Sequence, residues 1–186
     1  MTDRWNRAAG TLMEKDTMKT RLLVAGTLLA VSLAISGTDA GAAKGPKPVD
    51  AKKWDSVADA ALAAMKQRAA ELKMVGVAQV SYAEGDAVVG WRSKMAVVGR
   101  MKADPTGTDK GSNFLAIAYT KAGEMADTLT DSGSGKRPPL TGEFGWPGGA
   151  IGRIKSGYLI VSFSGGKGED DYKVSQAGLA VLKAAF

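Results

Sequence analysis

The chain has 186 residues, of which 45% are hydrophobic and 24% charged, and its formal net charge is +6. It contains neither cysteine nor histidine, which excludes disulfides and the usual zinc and copper sites. Basic and acidic residues are interspersed along the chain instead of forming a basic face with interleaved aromatics. We therefore interpret the charge as a solvated surface and expect no nucleic-acid partner.

The N-terminal segment has the pattern of an export signal. Residues 18–42 combine a basic front, an uncharged apolar core from Leu22 to Ile35, and small residues up to Ala42. This is typical of a secretory signal peptide, and the apolar core is shorter than the roughly 20 residues of a membrane span. We predict that residues 1–17 are an over-extended start and that cleavage falls near Ala42. The mature protein is then expected to be periplasmic or secreted, without a stable membrane span.

Residues 43–49 contain two prolines and a glycine, which predicts a linker ahead of a single domain at 50–186. Asp50 is predicted to cap a helix whose apolar positions recur at helical spacing from Trp54 to Leu72. A second helix is predicted after a cap at Ser112, again with one apolar stripe. That stripe consists of Phe114, Ile117, Ala118, Ala122, Met125 and Leu129.

Five segments have the alternation or the β-branched content of strands. They are 76–82, 86–91, 94–102, 150–155 and 158–163, the third being either a further strand or a continuation past a bulge. Because short turns join neighbouring strands, we expect antiparallel pairing. The predicted fold class is α+β, with a central antiparallel sheet of about five strands and helices laid against it.

The stretch from 158 to 179 is a strand–glycine turn–helix unit. Gly165 and Gly166 follow the apolar strand, and three acidic residues at 169–171 mark the start of a helix. Its apolar face is predicted to carry Val174, Ala177, Gly178, Val181 and Ala185. Carboxylates are favoured there because the free N–H groups of a first turn carry partial positive charge. We expect the acids to occupy this positive end, so that the turn serves the fold instead of binding an anion.

Ser164 and Lys167 match the S-x-x-K pattern of serine acyl-enzymes. The K-[ST]-G element of those enzymes has a match at residues 155–157, but the two elements occur in the reverse order. In addition, this serine would not open a helix, as the nucleophile of those enzymes does. An exported serine hydrolase built on Ser164 and Lys167 is kept as a third hypothesis.

The C-terminal unit resembles that of a known family. Gly165, Gly166, Glu169 and Asp170, followed by the AGL sequence at 177–179, are similar to the ending of the GlcG/HbpS-like haem-binding family. This domain also forms the C-terminal part of some corrinoid adenosyltransferases. Further upstream, the AYTKA sequence resembles the family's A-x-x-K-A helix, and the resemblance covers the chain from about Trp54 to Leu182. It implies a profilin-like fold, assembly into homo-oligomers and an extracytoplasmic haem-binding role, sometimes with slow haem breakdown or a sensory partner.

The same resemblance implies haem or a related tetrapyrrole as the ligand. Some relatives bind haem through a histidine, which this chain lacks, so iron would need Met, Tyr, Lys, a hydroxyl or no strong axial ligand. Tyr119, Lys121 and Met125 lie within about two turns of the second helix and are the candidate cofactor-binding residues. Met125 also fits the core stripe, and Lys121 also fits a contact with a helix C-terminus or with solvent.

The leading hypothesis is an exported domain that binds haem or a related tetrapyrrole and has no defined catalytic centre and no metal site. The alternative is an oligomeric structural or interaction module of the same fold that has lost its ligand. The missing histidine favours this alternative.

Overall fold

A computed structural model describes residues 47–186, in which three helices and six strands follow one another along the chain. In order they are α1 (Ala51–Glu71), β1 (Gly76–Glu84), β2 (Gly90–Val98), β3 (Lys102–Ala103), β4 (Ser112–Asn113), α2 (Phe114–Thr128), β5 (Gly149–Ile154), β6 (Gly157–Ser164) and α3 (Gly168–Ala185). The predicted over-extended start, the signal peptide and residues 43–46 of the predicted linker lie outside the described residues.

Strands β1, β2, β5 and β6 form a four-stranded antiparallel sheet in the order β2-β1-β6-β5. Strands β3 and β4 pair separately as a two-stranded sheet. The predicted α+β class is confirmed as a central antiparallel sheet with helices on both faces. The central sheet has four strands where about five were expected. The more specific likeness to the profilin fold stays a prediction.

The discrepancy comes from the segment after β1. The strands predicted at 86–91 and 94–102 are a single strand, β2, because residues 85–88 form a turn. Gly85 takes a positive φ of 85° in that turn, which favours glycine. The β1–β2 ladder then runs without a bulge from the Glu84–Gly90 pair to the Gly76–Val98 pair.

The two faces of the sheet are covered differently. Helices α1 and α3 cover one face, where the apolar side chains of β1 and β6 form the main core with residues such as Met65 and Leu182. Helix α2 covers the opposite face, where two smaller apolar clusters form around Met125 and Phe114. The predicted stripes of α1 and α2 are buried as expected, apart from partly exposed residues at their ends.

The helix starts follow from local hydrogen bonds. Asp50 caps α1 as predicted, its side chain accepting the N–H of Lys53 at 2.9 Å. The cap of α2 is Asn113 and not Ser112, because the amide oxygen of Asn113 accepts the N–H of Ala116 at 3.0 Å. No helix of the described part of the chain is long and apolar enough to cross a membrane.

Helix α3 has the three acidic residues in its first turn, as predicted. Val174 and Gly178 are buried as expected. The rest of the buried stripe is rotated from the predicted one, with Leu179 and Leu182 buried and Ala177 and Val181 only half-buried.

Candidate functional site

A cleft of about 400 Å³ opens where the end of β6 meets the start of α3. Three parts of the chain line it: the start of α2, the turn between β6 and α3, and the segment before β5. The lining residues are Ser112, Phe114, Ile117, Lys121, Trp146, Pro147, Ser164, Gly165, Gly166, Gly168 and Asp171. Both its volume and its mixture of apolar and polar side chains are typical of small-molecule sites, which span about 300–1,000 Å³.

One wall of the cleft belongs to α2. Phe114, Ile117 and Lys121 lie three and four residues apart, so they share one face of the helix. Phe114 and Ile117 are both buried and give this wall its apolar surface. Lys121 stands one turn further along, at the inner end of the cleft.

The floor is the glycine turn after β6. A side chain at Gly165 would overlap the carbonyl oxygen of Val75, which lies just before β1. Glycine at this position therefore permits the turn to pack directly against the chain entering β1. The turn that was predicted to serve the fold does so, and it also lines the cleft.

A buried ion pair joins the two helices at the inner end of the cleft. Lys121 Nζ lies 2.7 Å from Asp171 Oδ2 and donates a second hydrogen bond of 2.8 Å to the carbonyl oxygen of Phe163. Asp171 Oδ1 accepts the N–H of Gly166 at 3.0 Å. Burial lowers the pKa of the Lys121 ammonium and raises the pKa of the Asp171 carboxyl, while the contact between the two groups opposes both shifts. Both charged groups thus have their partners inside the protein.

The outer wall is formed by Trp146 and Pro147. The ring of Trp146 stacks on Phe144, with centroids 4.6 Å apart. The chain behind it is fixed by two hydrogen bonds, from Ser175 Oγ to the carbonyl oxygen of Gly148 at 2.6 Å and from the Gly149 N–H to Ser132 Oγ at 2.7 Å. These contacts hold the wall next to the inner ion pair, which the backbone at Gly148 approaches closely.

An arginine bridge fixes the loop that leads to this wall. Arg137 donates to Glu143 Oε2 at 2.6 Å and to Asp127 Oδ2 at 2.5 Å, and Glu143 also accepts the N–H of Leu140 at 2.8 Å. The guanidinium of Arg137 lowers the pKa of Glu143 to about 2. The bridge ties the loop to the C-terminal half of α2.

Ser164 differs from the other buried polar residues of this region. It is 3% exposed and lines the cleft, yet its hydroxyl makes no hydrogen bond to any group within residues 47–186. Ser162 lies two residues earlier, on the same face of β6. Its hydroxyl has two acceptors within hydrogen-bonding distance, Gln79 Oε1 at 2.9 Å and the carbonyl oxygen of Ala118 at 2.8 Å. Of these two serines, only Ser164 has a hydroxyl left for a ligand.

The three predicted cofactor-binding residues do not meet at one place. Lys121 lines the cleft, but its ammonium is bound to Asp171 and to Phe163. Tyr119 is 38% exposed, and its hydroxyl lies 3.0 Å from Ser93 Oγ on β2. Met125 is fully buried in the cluster beneath α2.

Only two of the four residues of the predicted fold-signature motif line the cleft. Gly165 and Gly166 line the cleft, whereas Glu169 and Asp170 do not, and Asp170 is bonded to Lys173 at 2.8 Å. Asp171 is the partner that the sequence analysis did not assign. A usable signal was present, because Lys121 falls at a buried position of the α2 stripe and a buried lysine requires an anion.

The Ser164–Lys167 arrangement is not assembled. Lys167 is exposed at the N-cap of α3 and does not line the cleft, and within residues 47–186 no hydrogen bond joins its side chain to Ser164. The serine-hydrolase hypothesis therefore gains no geometric support.

A second cavity, of about 470 Å³, lies between residues 86–88 and the second half of α2. Its two carboxylates, Asp86 and Asp127, are exposed and are paired with Arg153 and Arg137. Because it has no buried polar group to orient a ligand, we consider the first cleft the better candidate site.

The lining of the cleft offers apolar contacts but no strong ligand for an iron atom. Its side walls carry Phe114, Ile117 and Trp146, which can contact a flat apolar ring. It has no lining histidine, cysteine, methionine or tyrosine, and its one lysine is held by Asp171. The residues present therefore do not fit haem iron as axial ligands. Across residues 47–186 there is also no group of three or more Asp, Glu, His or Cys residues that could hold a metal ion.

Comparisons with solved structures find likenesses of shape. No protein-family model matches the chain, and no curated protein sequence matches it. A similar solved structure is the crystal structure of a PduOC:heme complex, with a TM-score of 0.46 and 18% identity. The match covers 73% of this chain and 95% of that one. A likeness of this degree carries no functional conclusion, so the site is interpreted from its own residues.

Proposed function

We propose that this chain is a ligand-binding domain, without a catalytic centre of its own, that takes a tetrapyrrole such as haem into the cleft between α2 and α3. The observation that supports this proposal most is the composition of the lining. Phe114, Ile117 and Trp146 supply apolar surface, and three glycines of the β6–α3 turn add no side chains to the cleft.

The lining residues determine how such a ligand would be held. Because they offer iron no free histidine, cysteine, methionine, tyrosine or lysine, and hydroxyls such as that of Ser164 are weak ligands, affinity would come from contact with the ring and from polar groups at the edge of the cleft. A metal-free porphyrin should then bind about as tightly as haem. This distinguishes the proposed site from one in which a side chain coordinates the metal.

The test is a titration of the purified protein with hemin and with protoporphyrin IX, with albumin as a competitor. We expect both to bind saturably. Their dissociation constants should agree within about threefold, because hemin gains no strong metal–ligand bond in this cleft that the metal-free ring would lack. Absence of saturable binding of either would contradict the proposal. A strong preference for hemin would contradict the absence of an axial ligand.

Two variants locate the binding. Trp146→Ala is expected to weaken binding of both porphyrins by about tenfold, because an aromatic stacking contact contributes about 0.5–1.5 kcal/mol beyond its buried area. The matched control is Trp91→Ala, which removes a similarly exposed tryptophan from β2, outside the cleft. This control should bind as the wild type does.

We propose in addition that the protein is exported and that it forms homo-oligomers. The signal-peptide pattern of residues 18–42 supports a periplasmic or secreted protein. Tag-free fractionation of the native host, followed by detection of the protein and determination of its N-terminus, tests this directly.

A second candidate function is that of an oligomeric interaction module. It is favoured by the stacked Phe144–Trp146 pair, whose members are 51% and 48% exposed next to exposed Leu140. Exposed aromatic groups of this kind are typical of contact surfaces. Sedimentation of the wild type beside a Phe144→Ser variant tests the module, because loss of assembly in the variant, together with absence of porphyrin binding by the wild type, would favour the module over the ligand-binding domain.

A further inference from the structure

We infer that the corner formed by Ser164 and the first N–H groups of α3 is a subsite for a carboxylate of the ligand. This inference rests on the proposed function and extends it to the acidic side chains that tetrapyrroles carry. The chemical class recognised is a carboxylate on a short aliphatic chain, as in a propionate.

The first observation is the hydroxyl of Ser164. Ser164 is 3% exposed and lines the cleft, and within residues 47–186 its hydroxyl forms no hydrogen bond. Since no fully enclosed side-chain nitrogen or oxygen of these residues lacks a partner, this hydroxyl keeps access to the cleft that the residue lines. Ser162, on the same face of the same strand, shows the usual situation with two acceptors in reach. A ligand oxygen in the cleft would give Ser164 the partner it lacks.

The second observation is the start of α3, a helix of 18 residues. The N–H groups of Asp170 and Asp171 bond to the carbonyl oxygen of Lys167 at 3.0 and 2.9 Å. Within residues 47–186 those of Gly168 and Glu169 have no such partner, and Lys167 supplies no side-chain cap. Free N–H groups at a helix start carry partial positive charge and bind anions.

The acidic residues of the first turn do not prevent this. Asp171 is neutralised by Lys121 and directs its other oxygen to Gly166, and Asp170 is bonded to Lys173. Of the remaining side chains, Lys167 and Glu169 carry opposite charges, and both are exposed. The sequence-based expectation that the acids occupy the positive end of the helix therefore does not hold for its first two N–H groups.

Gly168 fits the same interpretation. It lines the cleft, and a Cβ built there would lie 2.5 Å from Pro147 Cγ and 3.2 Å from the carbonyl oxygen of Pro147. The absence of a side chain allows the outer wall to pack against the start of α3. The N–H of residue 168 and the hydroxyl of Ser164 are thereby brought to the same cleft as the apolar walls.

The first experiment uses sodium propionate as the probe and the amide resonances of the ¹⁵N-labelled protein as the readout. We expect saturable shifts of the Gly168 and Glu169 amides, and about tenfold weaker binding in Ser164→Ala, because a hydrogen bond to a charged group is lost. The control is Ser156→Ala, whose hydroxyl lies in the β5–β6 turn and does not line the cleft. Shifts that do not saturate, or that are unchanged in Ser164→Ala, would overturn the inference.

The second experiment separates this inference from the proposed function. Protoporphyrin IX and its dimethyl ester share one ring, but the ester has no free carboxylate. We expect the ester to bind the wild type about tenfold more weakly than the acid, and Ser164→Ala to remove most of this difference. Equal binding of acid and ester would overturn the subsite while the proposed function stands. Propionate shifts at Gly168 without binding of either porphyrin would overturn the proposed function and keep the subsite.

Discussion

The two faces of the central sheet have opposite characters. Beneath α1 and α3 the β1 and β6 side chains are apolar and fully or almost fully buried: Ala78, Val80, Tyr82, Leu159, Val161 and Phe163. Beneath α2, the same two strands present Gln79, Ser81, Ser162 and Ser164 among their apolar residues. The apolar face beneath α1 and α3 stabilises the fold through burial of apolar surface. The polar groups beneath α2 need hydrogen-bond partners, which come either from the protein or from a ligand.

This difference locates the cleft. On the α2 side the polar groups form a chain of hydrogen bonds through Gln79, Ser162 and Ser93, which reaches the surface at Tyr119. Ser164 is the member of this row that stays unbonded, and it lies at the end of β6 where the cleft opens. We therefore regard the α1–α3 face as the structural face and the end of the α2 face as the functional one.

The largest effect is expected at the backbone contact between the β6–α3 turn and the residue before β1. Gly165→Val should prevent folding, because its side chain would overlap the carbonyl oxygen of Val75 and force the β6–α3 turn away from β1. Circular dichroism and the yield of soluble protein measure this. Gly123→Ala on α2 is the control, since a Cβ there meets nothing within 4 Å, and it should fold normally. Wild-type folding of Gly165→Val would contradict the described packing.

The next effect concerns the buried ion pair. Asp171→Ala leaves the Lys121 ammonium buried without an anion, and we expect a loss of about 3–5 kcal/mol in the free energy of unfolding. Urea denaturation measures it. The double variant Lys121→Met/Asp171→Leu should regain most of the loss, because two apolar side chains need no partner. A double variant as unstable as Asp171→Ala would show that the pair does more than neutralise itself.

Two serines of β6 on the functional face are expected to differ in their contribution to stability. Ser162→Ala should cost about 1–3 kcal/mol, since Gln79 loses a buried hydrogen-bond partner. Ser164→Ala should change stability by less than about 0.5 kcal/mol, since no hydrogen bond within residues 47–186 is lost. Equal destabilisation by the two changes would mean that Ser164 has a structural partner and is not reserved for a ligand.

The smallest effect is a dependence on pH at the outer wall. The folded-state pKa of Glu143 is about 2, below its ordinary value of 4.5, so its bridge to Arg137 stabilises the loop above pH 4.5. That stabilisation is lost as the pH falls towards 2. Urea denaturation across this range should show a shallower acid decline for Glu143→Gln than for the wild type. Identical declines would contradict the role of the bridge.

The structural face was predictable from sequence in large part, because it depends on periodicity. The helical stripe of α1 identifies buried side chains, and Asp50 marks the start of α1 correctly. The stripe of α3 was predicted only in part, since Leu179 and Leu182 are buried in place of Ala177 and Val181. The strand β2 was divided between residues 91 and 94, with a continuation past a bulge left open, because strand content on either side of Arg92 and Ser93 does not specify the register; the pairing with β1 in fact continues through both residues. Periodicity therefore gave the helices and layers more reliably than the strand boundaries.

The functional face was predictable only in part. Lys121 was selected from a motif, but its partner Asp171 lies 50 residues away and is brought to it only by the packing of α2 beside α3. Ser164 forms no hydrogen bond within residues 47–186 because its packed neighbours from distant parts of the chain offer its hydroxyl no partner, which no local pattern encodes. The sequence also separated the glycine turn from the site on α2, whereas the structure places both on one cleft.

The most direct test of the contrast between the faces is to map protoporphyrin IX on the ¹⁵N-labelled protein by amide chemical shifts. We expect the shifted amides to cluster at Phe114, Gly165, Gly166 and Gly168, with none along α1. Shifts centred on α1 or α3 away from its first turn, with the glycine turn unchanged, would contradict the assignment of the α2 face as the ligand-binding face.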